Sequence, residues 1–164
     1  MSPSNDRVSV IRQLILDPEV GLKPYLQEKL DLENRLTDFK AIPGSPYGYV
    51  TGKLSIDLIS STTEILDPPG DTQYSDTHFE LRVTQLVSVV LSIALNKDIE
   101  DEWSIAAAEI QTILDVYIVR WSQKAREKGL IEEDVDFIEG SLDFLNDLSA
   151  EIVREFEVTY SMDK

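Results

Sequence analysis

The side chains most often used in catalysis and metal binding are scarce in this chain of 164 residues. Cysteine is absent, which excludes disulfides, thiolate metal sites, iron–sulfur clusters and cysteine nucleophiles. His78 is the single histidine and the one candidate imidazole base, and no P-loop, dinucleotide-binding or Gly-x-Ser-x-Gly pattern accompanies it. We interpret His78 as a surface or interface residue. The sequence therefore predicts a protein that is not an enzyme and has no cofactor.

Carboxylates are abundant, and the best arrangement for binding a cation is Asp134, Asp136 and Glu139. Measured against a calcium-binding loop, the pattern fails at three positions. Ile138 stands at the third ligand position, Glu139 replaces the required glycine, and Leu145 replaces the bidentate glutamate. We interpret this segment as a solvated acidic loop and expect no metal site.

The charge balance restricts the partners that the chain can bind. The sequence has 15 Lys and Arg against 31 Asp and Glu, for a formal net charge of -16. Proteins that grip nucleic acid or an acidic membrane need an excess of cationic side chains. Any contact with DNA is therefore expected to be non-adhesive, and no membrane partner is expected.

Hydropathy periodicity predicts two helices near the start of the chain. Between Asp6 and Leu16 the apolar residues recur at spacings of one, three and four, as on one face of an amphipathic helix. A second helix is predicted from Pro24 to about Leu36. Prolines and glycines in residues 41–48 then predict a loop that leads into a sheet.

Alternating apolar and polar residues predict a long β-hairpin over residues 47–95. The first strand runs from Val50 to about Ser60, and the second covers residues 78–95, with Gln85 as the one polar residue on its apolar face. Residues 60–77 are interpreted as a long surface loop. At about 3.3 Å per residue the second strand is far longer than usual, so it is expected to bend, bulge or project from the domain.

The last part of the sequence predicts a long helix and a final strand. Apolar and aromatic residues from Trp103 to Trp121 recur at helical spacing within a helix over residues 99–128, and Gly129 suits its end. Residues 130–148 predict a short edge strand with an irregular loop, and residues 151–162 predict the closing strand.

Together these elements predict one α+β domain spanning residues 1–164. Its mainly antiparallel sheet contains the long hairpin and packs against an N-terminal helix and the long central helix. Residues 1–6 lack the basic region of a signal peptide, and the longest apolar run, of about ten residues, is too short for a membrane helix. We therefore expect a soluble, non-secreted protein.

Two short motifs stand at the start of the first predicted strand and in the last one. Residues 46–51 read PYGYVT, and residues 153–160 read VREFEVTY. With the order of the elements, they resemble the tail terminator, or neck terminator, family of long-tailed bacteriophages, which commonly has a "PYVT"-like start to its first strand and an "ER-x-x-F-x-V-x-Y"-like last strand. Val153 stands in place of the glutamate. The resemblance covers roughly residues 42–162, although the acidic stretch 131–146 and the long first strand depart from the family pattern.

The resemblance implies a structural role in the virion. Six copies would form a ring that caps the tail tube, ends its polymerisation and joins the tail to the head connector or stopper protein, with DNA passing through without specific binding. The sheath protein is a further expected partner. The implied location is the virion tail or neck, with assembly in the host cytoplasm.

The sequence suggests which residues form contacts in such a ring. We expect the hairpin loop to make an inter-protein contact through Asp67, Pro68, Pro69 and Asp71, and Arg154 to form a salt bridge within or between subunits. A ring of six chains carries roughly -96, so the acidic side chains should face the DNA path or the solvent.

Two other readings remain open at this point. The chain could be another neck component, such as a head-completion stopper or a tube protein. It could also be an acidic protein that mimics DNA and binds a basic partner through its carboxylates.

Overall fold

The computed structural model describes residues 7–33, 49–66, 80–95, 103–146 and 149–163. These form an antiparallel sheet with helices packed on one side, which confirms the predicted α+β fold with its long hairpin, N-terminal helix and long central helix. In chain order the elements are α1 Arg7–Leu16, α2 Leu22–Glu33, β1 Tyr49–Leu66, β2 Glu80–Leu95, α3 Trp103–Glu127, β3 Asp136–Asn146 and β4 Ser149–Asp163.

The sheet has the strand order β1-β2-β4-β3, and every neighbouring pair is antiparallel. Strand β2 lies inside the sheet, because it pairs with β1 on one side and with β4 on the other. The pairing with β4 runs from Glu80, opposite Asp163, to Ala94, opposite Ser149. Strand β4 thus accompanies the hairpin along its described length, so the hairpin is part of a three-stranded unit and does not project alone. Strands β1 and β3 are the two edges.

Strand β1 is longer than the sequence predicts. Residues 60–66, for which the sequence predicts a loop, continue the strand and pair with β2 as far as Leu66, opposite Glu80. A β-bulge between Leu58 and Ser60 separates the two halves of the strand. The buried Gln85 side chain donates its amide to the Ser60 carbonyl at 2.9 Å. The polar residue on the apolar face therefore supports the strand at the bulge.

The hydrophobic core lies between the helices and one face of the sheet. The alternating residues of β2 from Val83 to Ile93 are buried there, as the hydropathy pattern predicts. The buried stripe of α3 packs against them and includes Trp121, whose indole Nε1–H donates to the Val20 carbonyl at 2.8 Å. Helices α1 and α2 close the core with Leu14, Leu22 and Leu26.

The C-terminal end of α3 is closed by a Schellman motif. The backbone N–H of Gly129 donates to the Arg126 carbonyl at 3.0 Å, and the N–H of Leu130 donates to the Ala125 carbonyl at 2.9 Å. Gly129 has φ of 75°, a left-handed conformation that side chains with a Cβ disfavour. The predicted helix end at Gly129 is thus explained by its backbone conformation.

The substitution Gly129→Ala is expected to lower the free energy of unfolding by about 1–2 kcal/mol, because a Cβ is unfavourable at this φ. Gly129→Asn should cost less, since asparagine tolerates the left-handed region better. Urea unfolding of both variants tests this expectation, and equal stability of Gly129→Ala and the native chain would contradict it.

Strand β3 corrects the sequence reading of residues 130–148. Its 11 residues pair with β4, and two register shifts, between Phe137 and Glu139 and between Phe144 and Asn146, interrupt the pairing. Each bulge adds one residue, so the positions that face the core change from odd to even or from even to odd. The apolar–polar alternation is therefore broken, and the sequence of this segment resembles an irregular loop. The predicted loop at residues 41–48 lies outside the described residues, as does the Leu36 end of the second predicted helix.

Candidate functional site

The predicted contact residues divide into two groups. Asp67, Pro68, Pro69 and Asp71 lie outside the described residues, and so does His78. On β4 every second side chain points toward the helices. Arg154 is one of these and lies between Ile152 and Phe156, which are both buried. Its side chain therefore enters the interface between the sheet and α3.

Arg154 joins three elements of the fold. Its Nε lies 2.8 Å from Oδ1 of Asp115 on α3, although the N–H is not aligned on that oxygen, so the contact is an ion pair rather than a directed hydrogen bond. The guanidinium carbon lies 4.5 Å from the ring centroid of Phe137 on β3, within cation–π distance. The side chain also crosses Gly140, where a Cβ would come within 2.7 Å of the guanidinium. Within this chain, Arg154 thus links edge strand β3 to the central helix.

Partial burial raises the pKa of the Asp115 carboxyl above its ordinary value. The positive charge of Arg154 acts in the opposite direction but does not cancel the desolvation. The ionised carboxylate is therefore less favourable in the folded chain than in the unfolded chain.

The Asp115→Asn variant tests this pKa through linkage. Because the pKa of Asp115 is raised in the folded chain, the protonated carboxyl favours folding. This contribution to the free energy of unfolding is complete below the unfolded-state pKa and is lost as the pH rises through the folded-state pKa. We expect the free energy of unfolding of the native chain, relative to Asp115→Asn, to decrease as the pH rises above about 3.9, the ordinary pKa of an aspartate. In an Arg154→Gln background the decrease should extend to higher pH, because the opposing charge is gone. Urea unfolding across this range measures the effect, and a relative stability that rises with pH would contradict it.

The acidic segment considered as a cation site does not form one loop. Asp136 and Glu139 lie on strand β3, whereas Asp134 precedes the strand and pairs with Arg126 at 3.2 Å. Among the residues that the structure describes, no cluster of carboxylates or histidine could hold a metal ion.

Carboxylates are concentrated on the sheet face that points away from the helices. On β4 these are Glu151, Glu155 and Glu157, which alternate with the buried core residues. Each is the register partner of an acid on β3, and the three pairs are Glu151 with Asp143, Glu155 with Glu139, and Glu157 with Asp136. Like charges directly opposite each other are unfavourable by a few tenths of a kcal/mol or more. We call these six residues the acidic face.

Lys53 occupies a register position on this sheet face, opposite Ser92, which is itself opposite Glu151. Near the other end of the face lies the cation Arg82, which is neutralised within the chain. Arg82 donates from Nε to Glu132 at 2.9 Å, and the hydroxyl of Ser161, the register partner of Arg82, also donates to Glu132. The N–H of Glu132 donates to the Thr159 carbonyl at 2.8 Å, so the segment before β3 runs beside β4. Arg82 therefore does not offset the charge of the acidic face.

Both edge strands expose large apolar side chains. On β1 these are Leu58, Ile59 and Ile65, and on β3 the residue is Ile138. Ile59 and Ile138 both lie at β-bulges. Leu58 and Ile65 are the register partners of Val87 and Leu81, so they extend the helix-facing side of the sheet beyond the part that the described helices cover. Exposed apolar edge strands readily add a further strand or pack against another chain.

The structure also brings together a group of cations around Tyr25, which the sequence patterns do not single out as one surface. The ammonium groups of Lys29 and Lys124 lie 5.7 Å and 5.9 Å from the Tyr25 ring centroid. Arg120 lies on α3 one turn before Lys124, and its guanidinium carbon lies 5.6 Å from the Tyr117 ring centroid. The spacing of four residues between Arg120 and Lys124, and between Tyr25 and Lys29, was the available signal. We call Tyr25, Lys29, Arg120 and Lys124 the basic patch.

Comparison with known proteins assigns no family to this chain. No protein-family model matches the sequence, and no curated protein shows significant similarity to it. Within the described part of the chain, none of the helices has the length and apolar character needed to cross a membrane.

Proposed function

We propose that this chain is a structural virion protein, the tail terminator of a long-tailed bacteriophage, with no enzymatic activity. Six copies form a ring that caps the tail tube, ends its polymerisation and joins the tail to the head connector or stopper protein. DNA passes through the ring without specific binding. The sheath protein is a further partner where the tail is contractile, and the ring is assembled in the host cytoplasm.

The observation that carries this proposal is the acidic face. Its six carboxylates lie on one side of a sheet whose other side is covered by helices. A channel wall with Lys and Arg would hold the phosphates of DNA by counterion release, whereas a wall of carboxylates would let the duplex slide. An acidic face that lines such a channel gives the like-charge pairs a function, because they keep DNA from binding to the wall, and this function offsets their cost in stability.

The two edges of the sheet support closure into a ring. Because every neighbouring pair of strands is antiparallel, β1 and β3 run in opposite directions. In a ring whose copies all have the same orientation, β1 of one copy can therefore pair antiparallel with β3 of the next. Such a repeated heterologous contact makes a closed ring when the rotation closes. The same contact would cover the exposed isoleucines on both edges.

The dimensions of this arrangement agree with a DNA channel. Six four-stranded sheets give about 24 strands, which at about 4.8 Å spacing have a circumference of about 115 Å and a backbone diameter of about 37 Å. Inward side chains occupy about 5 Å on each side, which leaves a channel of about 27 Å. Strand tilt widens the channel further, so a DNA duplex fits inside.

Solution mass at two ionic strengths tests ring formation. At about 0.01 M salt the carboxylates of neighbouring copies repel one another over about 30 Å, whereas at about 1 M the repulsion is screened within about 3 Å. We expect sedimentation to show a shift from single chains toward a species of six chains as salt increases. Assembly that weakens with salt would contradict a ring with an acidic wall.

The acidic face also favours a second candidate function, in which the chain mimics DNA and binds a basic protein. Three pairs of carboxylates on one sheet face, exposed on β3 and half-buried on β4, present closely spaced negative charges, as a DNA backbone does. A protein of this kind stays a single chain at all ionic strengths and binds a basic partner more weakly as salt increases. The sedimentation series thus separates the two candidates. Another neck component, a stopper or a tube protein, differs from the terminator in where it binds on the tail.

A further inference from the structure

The basic patch is unusual in a chain with a net charge of -16. Within the described residues, no carboxylate forms an ion pair with Lys29, Arg120 or Lys124, whereas Arg82, Arg126 and Arg154 each have one. The described part of this acid-rich chain thus leaves three neighbouring cations without a carboxylate partner. Such a surface fits an anionic partner that is not part of the described residues.

Tyr25 adds an apolar surface between these charges. Its ring is half-buried at the junction of α2 and α3, with two ammonium groups within cation–π distance. Burial raises the pKa of Tyr25, while the positive charge of Arg120 acts against this rise and the negative charge of Glu28 adds to it. The hydroxyl therefore stays protonated at neutral pH, and the patch offers an aromatic ring flanked by cations.

An acidic protein segment fits this patch better than nucleic acid does. Three cations neutralise too few phosphates for firm binding, and the net charge of the chain repels a polyanion. A short segment with a few carboxylates and stiff apolar rings matches both the charge and the aromatic surface, because proline-rich segments dock on aromatic side chains with little loss of conformational entropy.

The chain itself contains such a segment. Residues 67–76 read DPPGDTQYSD, with aspartates at positions 67, 71 and 76, two adjacent prolines and no basic residue. We propose that this segment of one copy docks on the basic patch of a second copy, with aspartates on the cations and the proline rings on Tyr25. This inference rests on the proposed ring, since it assigns the contact that the segment makes between neighbouring subunits.

The position of the two surfaces along the sheet supports this contact. The segment joins β1 to β2 and so leaves the sheet between Leu66 and Glu80. The chain that follows α3 reaches the same end of the sheet, because Glu132 bonds to Thr159, the register partner of Thr84. Thr84 is four residues, or about 13 Å, from Glu80, the residue at which β2 begins. In a ring of copies with one orientation, the segment and the neighbour's patch therefore lie at similar heights.

A peptide of sequence DPPGDTQYSD tests the docking independently of ring formation. At about 0.01 M ionic strength, fluorescence anisotropy of the labelled peptide should show saturable binding to the native chain. We expect Arg120→Gln/Lys124→Gln to weaken this binding at least tenfold. The matched control, Arg12→Gln/Lys23→Gln, removes two charges elsewhere and should change it less than twofold. A peptide with its aspartates replaced by asparagine should bind at least tenfold more weakly.

Three outcomes of this measurement overturn the inference. In the first, the native chain does not bind the acidic peptide. In the second, the patch variant and its control lose the same fraction of peptide affinity. In the third, the chain binds a ten-nucleotide single-stranded DNA of mixed sequence more tightly than it binds the peptide. Peptide binding through the patch in a chain that never forms rings would reject the hexamer and not the docking chemistry. Rings without peptide binding would reject the docking and leave the proposed function intact.

A charge exchange shows whether the contact joins two copies. One variant carries Arg120→Glu/Lys124→Glu, and the other carries Asp67→Lys/Asp71→Lys. At about 0.15 M ionic strength, where charges still act over about 8 Å, each variant alone places like charges on both sides of the contact and should assemble at least tenfold less than the native chain. Mixed together, each supplies the surface that the other has reversed, and assembly should return. A mixture that assembles no better than its components would mean that the segment does not dock on a second copy.

Discussion

The double substitution Ile59→Lys/Ile65→Lys is expected to abolish ring assembly while leaving the chain folded. Both isoleucines are exposed on edge strand β1. If a neighbouring copy covers this edge, burial of each side chain stabilises the contact by about 1.5–3 kcal/mol. Losing both weakens each contact by about 3 kcal/mol or more, which is roughly a hundredfold in the association constant. A ring repeats this contact at every interface. Sedimentation at high ionic strength, and capping of tail tubes, measure the loss.

A matched pair on helix α3 serves as the control. Ile105 is 64% exposed, close to the 66% of Ile65, and Val116 is also exposed. The variant Ile105→Lys/Val116→Lys makes the same change in charge, and removes a somewhat smaller exposed apolar area, away from the β1 edge. It should assemble like the native chain. Equal assembly of the edge variant and the native chain would contradict pairing through β1, and unchanged circular dichroism shows that both variants fold.

The largest effect on stability is expected for Trp121→Ala. The indole is almost fully buried between the sheet and the N-terminal helices, and its Nε1–H is bonded to the carbonyl of Val20. Removal of a buried tryptophan costs about 3–5 kcal/mol, and an unpaired buried carbonyl adds about 1–3 kcal/mol. Because domains of this kind are stable by about 5–15 kcal/mol, the variant should be partly or fully unfolded at room temperature. Urea unfolding with circular dichroism measures the change.

Trp121→Phe separates the two contributions. Phenylalanine retains much of the apolar volume but lacks the N–H, so we expect a loss of about 1–3 kcal/mol. A loss below about 1 kcal/mol for Trp121→Ala would show that this indole does not join the N-terminal helices to the core.

The strands that the sequence predicts best are those with both neighbours in the sheet. Strand β2 has an apolar alternation from Val83 to Ile93, with Gln85 as the exception, because this stretch of one face is buried in the core. Residues 60–66 of β1 show no such alternation, since side chains on both faces of this edge are exposed. Their backbone hydrogen bonds to β2 hold them in the strand, and hydropathy does not report backbone pairing.

The candidate sites were predictable only in part. The imbalance of 31 acids against 15 bases predicts that carboxylates face solvent or a channel, but their pairing across β3 and β4 depends on the register of two strands. The Asp115 partner of Arg154 is 39 positions away in the sequence, so local patterns do not find it. The basic patch likewise brings α2 together with the distant second half of α3.

The proposed ring at the end of the tail tube is tested most directly by negative-stain electron microscopy of the purified chain mixed with tail tubes of the same phage. We expect tubes that end in a ring of six subunits with an open central channel, and tube growth that stops once the ring is bound. A chain that remains single and leaves tube ends and tube growth unchanged would contradict it.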